Sequence, residues 1–240
     1  MNKKIQYALI LLTLIISTGI SSCRFNCVNG SGNQITQDRK IGSFNKIDVA
    51  ESFKVVIRED NSNTISIKAD DNLLKYIKTT VSDGTLHIYT KKNMCNSGEM
   101  IVKVPVQMLK SIKASDAAEV ISEGKINAQD ISIRLSDGSR ISLELTASHV
   151  SMHGSDASVL NLSGQASTSE VQLSDGSSIH AKDFVSGTVS VRASDGSYAE
   201  LNVLTTLNAR GSDGSVIKYY GNPSVVNTDK SDGSSVEKAD

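Results

Sequence analysis

Ser136-Asp137-Gly138-Ser139 is a four-residue phrase that returns through the second half of the chain. It recurs as Ser174-Asp175-Gly176-Ser177, Ser194-Asp195-Gly196-Ser197, Ser212-Asp213-Gly214-Ser215 and Ser231-Asp232-Gly233-Ser234. Two variants carry Ala in place of Gly, Ser115-Asp116-Ala117-Ala118 and Ser155-Asp156-Ala157-Ser158. Successive first serines lie 21, 19, 19, 20, 18 and 19 residues apart. A period of about 20 residues is the mark of a stacked-repeat architecture.

The flanks say what is stacked. Five, three and one residues before each first serine the chain is mostly apolar: Ile131, Ile133 and Leu135, then Val189, Val191 and Ala193. The positions between are polar, as in Ser132 and Arg134. Five and seven residues after the first serine come Ile141 and Leu143, Leu160 and Leu162, or Ile179 and Ala181. Both flanks alternate with period two, so both are strands with one buried face. Each coil is then strand, corner, strand and a variable return, too short to hold a crossover helix. A lone hairpin cannot bury its apolar face, but parallel stacking lets each coil cover the next. The expected fold is all-β, a single-stranded right-handed parallel β-helix (β-solenoid) with about 19–20 residues per coil. An antiparallel sandwich of hairpins is the alternative. It also spaces strand pairs regularly, but it does not require one corner phrase per turn.

The corner has a structural explanation: Gly tolerates positive φ, and Ser and Asp bond to nearby backbone N–H groups. Stacking places Asp116, Asp137, Asp156, Asp175, Asp195, Asp213 and Asp232 in one file. At a rung spacing of about 4.8 Å, neighbouring carboxylates repel by about 1 kcal/mol in water and about 3–4 kcal/mol at an effective dielectric of about 20. The file must be solvated, bonded or neutralised. A partly basic column two residues before each first serine (Lys113, Arg134, His153, Arg192, Arg210), interrupted by Gln172 and Asp229, offers some compensation. A row of Ca²⁺ ions on the file is the functional alternative. The chain lacks the tighter period and multiple glycines of calcium-binding nonapeptide repeats, so a structural corner without a cofactor is the first reading.

The N-terminus carries a targeting pattern. Lys3 and Lys4 precede an apolar run from Tyr7 to Ile16, which is short for a bilayer span and suits a secretory signal. Ile20-Ser21-Ser22-Cys23 resembles the lipobox of bacterial lipoproteins, with Ile20 and Ser22 in place of the commoner Leu and Gly or Ala. The resemblance implies that Cys23 is acylated on its thiol and becomes the new N-terminus. Multiple acyl chains anchor a protein stably, so an outer-membrane lipoprotein is expected; nothing after Cys23 chooses the cell surface over the periplasmic face. The organisation expected is a signal peptide at 1–22, a polar, Gly-containing flexible tether at 23–38, and a β-solenoid domain at 39–240. Within that domain, 39–112 is the irregular part and 113–240 the regular coils. Cys27 and Cys95 either pair, as an oxidising compartment allows, or remain free thiols.

From Ile41 to Leu109 the texture is β without the period. Phe53-x-Val55-x-Ile57 and Met100-x-Val102-x-Val104 alternate, and Val81 to Ile88 reads as a hairpin around Asp83-Gly84. Leu73, Leu74 and Ile77 have near-helical spacing, so a short helix is expected over 70–77. This part is expected to begin and cap the solenoid. Phe44-Asn45-Lys46-Ile47-Asp48-Val49, Val55-Val56-Ile57, Asp71-Asn72-Leu73-Leu74, Asp83-Gly84-Thr85-Leu86-His87-Ile88 and Val104-Pro105, followed by the corner phrases, resemble the head GIN domain of autotransporter-type adhesins. The resemblance spans residues 40–230. It implies a β-helical, adhesive domain and supplies no ligand-binding residues.

Charge and composition exclude other classes. The chain has 25 basic and 26 acidic side chains for a net charge of −1, and no basic block, so nucleic acid is not an expected partner. With no Trp, and Tyr198, Tyr219 and Tyr220 the only tyrosines in the coils, a stacked sugar platform is not indicated. His87, His149, His153 and His180 show no metal-ligand spacing and read as surface histidines. Polysaccharide-degrading β-helices need a unique carboxylate constellation, whereas here the same residue types recur in every coil. The function expected is therefore a membrane-anchored, non-catalytic solenoid with an adhesive or assembly role toward a protein or glycan in the envelope or outside it. A polysaccharide-binding or pectin-degrading-like β-helix and a calcium-binding structural solenoid are the alternatives. The charged end Glu237, Lys238 and Asp240 discourages edge pairing, so a monomer or weak dimer is expected.

Overall fold

A computed structural model of the chain describes residues 27–95 and 97–240. The signal segment at 1–22 and the lipidation candidate Cys23 lie outside the described residues. Among the described residues there is no helix. Five long strands, Glu119–Leu135, Arg140–Gly154, Val159–Leu173, Ser178–Ala193 and Tyr198–Gly211, form the body of the molecule. Each pairs in parallel with the next. Parallel pairing at a one-coil offset is a β-solenoid and leaves no place for a sandwich of antiparallel hairpins.

Each of these strands runs from one corner to the next, so the return expected to be variable is β as well. It bends at register shifts, for example between Asn161 and Ser163 and between Ala181 and Val185. At one bend the backbone passes so close that only Gly fits. A Cβ on Gly164, whose φ is +110°, would sit 2.1 Å from the Leu145 carbonyl oxygen.

The corner phrases lie directly over one another. Asp137 and Gly138 have φ of 53° and 68°, the paired positive values of a type I′ turn, closed by the Ser139 N–H donating to the Ser136 carbonyl at 3.1 Å. The Gly138 N–H donates onward to the Asp156 carbonyl of the following coil at 2.9 Å, and the same bond repeats up the stack. The fourth residue turns inward. Ser139, Ser158, Ser177, Ser197 and Ser215 are all at most 1% exposed. Their hydroxyls donate to the carbonyl just before the preceding coil's corner, as Ser139 does to Ala114 and Ser215 to Ala193, both at 2.9 Å. That carbonyl also accepts the N–H of the next coil's first serine, as in Ser136 to Ala114 at 3.1 Å. Both of its lone pairs are thus used.

Inside the coil, the residue three before each corner forms a core column: Ile112, Ile133, Met152, Val171, Val191 and Ala209, none more than 1% exposed. Among the residues one before the corner, Gly154 lies between Leu135 and Leu173. A Cβ on Gly154 would meet Leu173 Cδ2 at 3.0 Å, so the small residue makes room for the large neighbour. Burying each Ile, Leu or Val contributes about 1.5–3 kcal/mol.

The irregular N-terminal part obeys the same geometry in a different order. Lys46–Val49 pairs with Ser111–Ala114, and Phe53–Glu59 with the start of Glu119–Leu135. This makes Ala50-Glu51-Ser52-Phe53 an extra corner, with Glu51 at φ 69° in the place of Asp and buried Phe53 in the place of the fourth serine. Thr85–Thr90 and Met100–Val106 then form a coil on the far side of it. The segment 46–59 is therefore sandwiched between a coil that follows it in sequence and the regular stack. In that terminal coil the corner is replaced by the longer segment 91–99. The hairpin of Ile77–Ser82 and Thr85–Thr90 turns on Asp83 and Gly84, both at positive φ.

Two expectations are corrected. Residues 28–38 are not a free tether. Val28–Asn29 pairs with Met94–Cys95, and Gln34–Lys40 pairs antiparallel with Thr64–Asp70 along its whole length. The segment is polar because it is an edge strand held by backbone bonds and not by burial. Ser31 and Asn33 donate to the Asp71 carboxylate, and Arg39 donates to the Leu74 and Ile77 carbonyls. Second, residues 71–76 form successive turns instead of a helix. Leu73 N–H donates to Asp70 and Tyr76 N–H to Leu73, enough to bury Leu73 and Leu74 without a full helical repeat. Cys27 and Cys95 are joined by a disulfide, with Cα atoms 5.7 Å apart and 68 residues between them in sequence.

Ala117 and Ala157 hold φ of 62° and 56° where five other corners have Gly. Relieving a left-handed Ala is worth about 1 kcal/mol, so Ala117→Gly and Ala157→Gly should each raise the denaturant midpoint by that equivalent, whereas Ser215→Ala should lower it by about 1 kcal/mol for its lost bond. The chain-entropy account puts closure of a loop of this length at about 4 kcal/mol. Reduction, or Cys27→Ser with Cys95→Ser, should therefore lower the unfolding midpoint of the N-terminal coils, followed by hydrogen exchange of Gln34–Lys40.

Candidate functional site

A groove of about 770 Å³ runs along the stack, between two columns of outward-facing side chains. Period-two alternation points the residue two before the corner and the first serine outward on either side of an inward residue. Long side chains, Lys113, Arg134, His153, Gln172, Arg192 and Arg210, make the tall rim; the first serines from Ser136 to Ser231 make the short one. The backbone at Leu135, Gly154, Leu173 and Ala193 is the floor. Six rung steps from Lys113 to Asp229 at about 4.8 Å give a length of roughly 29 Å. A smaller hollow on the other side of the rim, lined by Ser190, Asn208 and Asn227, leaves Arg192 and Arg210 standing between two depressions.

The charges along the tall rim are unevenly used. Lys113 Nζ lies 3.8 Å from Asp48, and Arg210 Nε lies 3.8 Å from Asp229. Arg134 and Arg192 have no ion-pair partner among the described residues. Burial, then the charge of Arg134, holds His153 below the ordinary imidazole value, so it is neutral at pH 7; its Nδ1 is shielded and lacks a hydrogen-bond partner among the described residues. The rim thus reads cation, cation, neutral, neutral, cation, cation.

The aspartates of the corners stand in a single exposed file, as the repeat requires, but outside the groove lining. The basic column does not pair with them among the described residues; its ion pairs run along its own column to Asp48 and Asp229. The turn is held by its own backbone bonds, which leaves the carboxylates exposed to water; that of Asp116 also accepts from the Ser115 hydroxyl at 2.8 Å. Among the described residues no group of three or more His, Cys, Asp or Glu side chains has the geometry to hold a metal ion.

One cluster is not repeated, and sequence reasoning missed it. Glu200 accepts from the Tyr198 hydroxyl at 2.9 Å, from His180 Nδ1–H at 3.0 Å and from the Tyr220 hydroxyl at 3.5 Å. Lys182 Nζ lies 4.4 Å from the Tyr220 ring centroid, and Lys218 Nζ lies 5.8 Å from that of Tyr198. His180 is thereby a cross-coil donor and not an idle surface residue. The signal was present: His180 and Glu200 both fall six residues after their first serines, hence on adjacent rungs. Hydrogen bonds from His180 and then Tyr198 hold Glu200 below the usual carboxylate range. Burial, followed by the bond to Glu200, pushes Tyr198 up to about 12.

The sequence profile of the family described as "Putative auto-transporter adhesin, head GIN domain" matches residues 43–223. The chain belongs to the head GIN domain family. Solved structures agree on the fold of this GIN domain. A "putative adhesin" from Bacteroides fragilis superposes with a TM-score of 0.84 at 19% identity, covering 88% of this chain and 100% of its own. A "putative lipid binding protein" from Parabacteroides distasonis gives a TM-score of 0.74 at 18% identity, covering 90% and 100%. A "putative adhesin" from Parabacteroides merdae gives 0.71 at 21%, covering 89% and 99%. No functionally curated protein matches the chain.

The cluster gives the GIN domain a pH signature. Glu200 is depressed in the fold, so its contribution is complete above its ordinary value of 4.5 and is lost as pH falls through the lower folded value. Tyr198 is raised, so its contribution is complete below its ordinary value of 10.0 and is lost as pH rises through about 12. Melting temperature against pH should therefore fall at both ends. Glu200→Gln should flatten the acid limb and lower the midpoint of tyrosinate formation followed by ultraviolet absorbance.

Proposed function

We propose that this GIN domain is a lipid-anchored, non-catalytic module of the outer membrane that presents its grooved, polar solenoid face to a protein or glycan ligand, in an adhesive or assembly role. The observation that carries the reading is the uniformity of the groove. The same floor, serine column and corner recur rung after rung, an arrangement that multiplies one weak contact instead of assembling one reactive centre. The His180–Glu200–Tyr198 cluster, which has catalytic residue types, is occupied by its own cross-coil bonds. It lies on the strand after the corner, away from the groove lining. The family description, with its reference to adhesins, supports the same class.

Attachment in this reading falls to Cys23, in its lipobox-like setting. No helix among the described residues is long and apolar enough to cross a membrane. Acyl chains at Cys23 would hold the module close to the bilayer, because Cys27, four residues on in sequence, is joined to Cys95. The charged end Glu237, Lys238 and Asp240 favours a monomer or weak dimer.

Metabolic labelling with a clickable fatty acid, followed by fractionation, tests the anchor. The native chain should be labelled and sediment with outer membranes. Cys23→Ala should be unlabelled and soluble, and cells carrying it should adhere to host or matrix surfaces no better than cells lacking the protein. An unlabelled native chain would remove the anchor from the proposal.

A further inference from the structure

We infer that the groove between the arginine column and the serine column holds an extended acidic polysaccharide, one whose carboxylates are separated by neutral sugars. The inference rests on the surface-module reading above and names the ligand class of the same site.

Shape comes first. The groove is straight, open along its length and seven rungs long, which suits a chain molecule and gives a compact ligand no enclosure. Charge comes next. The groove lining contains Lys113, Arg134, Arg192 and Arg210 against a single carboxylate, Asp229, within a chain of net charge −1. Lys113 and Arg210 are already shared with Asp48 and Asp229, so the guanidinium groups left to a ligand are those of Arg134 and Arg192. They stand three rungs apart, about 14 Å, with neutral His153 and Gln172 between them. A planar guanidinium suits a carboxylate through paired N–H donors. Between the two arginines, the groove offers a row of serine hydroxyls, each both donor and acceptor, and these match sugar hydroxyls.

The same features reject other polymers. Nucleic acid carries a charge about every 3.4 Å per strand, which would set phosphates against the neutral middle rungs. It would also crowd them toward the aspartate file one residue beyond the serine rim. An acidic peptide gains its affinity for a sheet by pairing with an exposed edge. The rungs along the groove are hydrogen-bonded to neighbours on both sides, so no such edge is offered between Arg134 and Arg192.

The test uses the purified full-length protein in neutral detergent and reads binding by calorimetry. The probes are hyaluronan oligosaccharides, in which acidic and neutral sugars alternate, neutral chitin oligosaccharides, polyglutamate and a short-chain phosphatidylglycerol. Hyaluronan should bind, more weakly as salt rises. Arg134→Gln combined with Arg192→Gln should weaken it by about tenfold or more, the loss of a charge-assisted bond. Lys68→Gln, an exposed lysine outside the groove, should leave it unchanged, and Asp137→Asn with Asp175→Asn should tighten it. All variants should melt with the native chain, since the substituted groups are exposed. The assignment is overturned if the double arginine variant binds as the native chain does, or if the neutral oligosaccharide binds equally. It is also overturned if polyglutamate or the lipid is taken in preference through the same arginines, or if hyaluronan is not bound at all. Fatty-acid labelling at Cys23 reads the surface-module proposal separately, so either can fail alone.

Discussion

One carbonyl oxygen per coil controls this molecule. It lies one residue before the corner and accepts both the backbone N–H of the next coil's first serine and the hydroxyl of its fourth. Two donors on one acceptor fix the height and the rotation of each coil relative to the last. A parallel stack without such a device is free to slip, and a slip of one residue would turn every inward side chain to solvent. The hydroxyl must reach back from inside the coil, so the fourth residue is buried. In the repeated corners the chain brings it there within four residues through two consecutive positive φ values, hence the Asp-Gly pair. The repeated phrase is therefore a geometric requirement of stacking, and the aspartate is chosen for its tolerance of φ near 50° as much as for its charge.

The groove follows from that register. Because the coils do not slip, the residue two before each corner always emerges at the same place, and a column of long side chains stands beside a column of short ones. Nothing else is needed to make a trough. Its chemistry then depends on single letters. Gln172 and His153 in the middle of the rim, and Asp48 and Asp229 near its ends, determine which arginines stay available. The scaffold is monotonous, while its surface code is not.

The regular coils were legible because the stacking constraint acts on neighbouring residues and leaves the same phrase each time. The strand phases around Ile133, Val191 and Leu201 could be assigned from alternation, and the file of aspartates followed. What was not legible came from contacts between segments distant in sequence. Ala50-Glu51-Ser52-Phe53 performs the corner's role with none of its letters, since Phe53 fills the core where a serine would otherwise bond. The out-of-order placement of 46–59 breaks the period. The polar stretch 28–38 looked like tether because it is held through its backbone and through Asp71 and Arg39, none of which shows in hydropathy. The short turns at 71–76 imitate helical spacing over one turn only, too brief for periodicity to discriminate. At the site, the basic column was visible, but its role was misjudged: it was set against the aspartates, when the geometry turns it toward an open trough.

The disulfide between Cys27 and Cys95 alters where tension would enter the fold. A pull on the chain from its N-terminal side reaches Cys27 before it reaches the edge strand Gln34–Lys40. The covalent link passes that load to the segment 91–99, and from there to Met100–Val106 and the whole wound sheet. The edge strand, held by its backbone bonds and by side-chain bonds such as those of Arg39, is shielded from being peeled away. In the reduced molecule the same pull would act on that strand directly, so the thiol state of two cysteines would set the mechanical strength of the end that bears the strain.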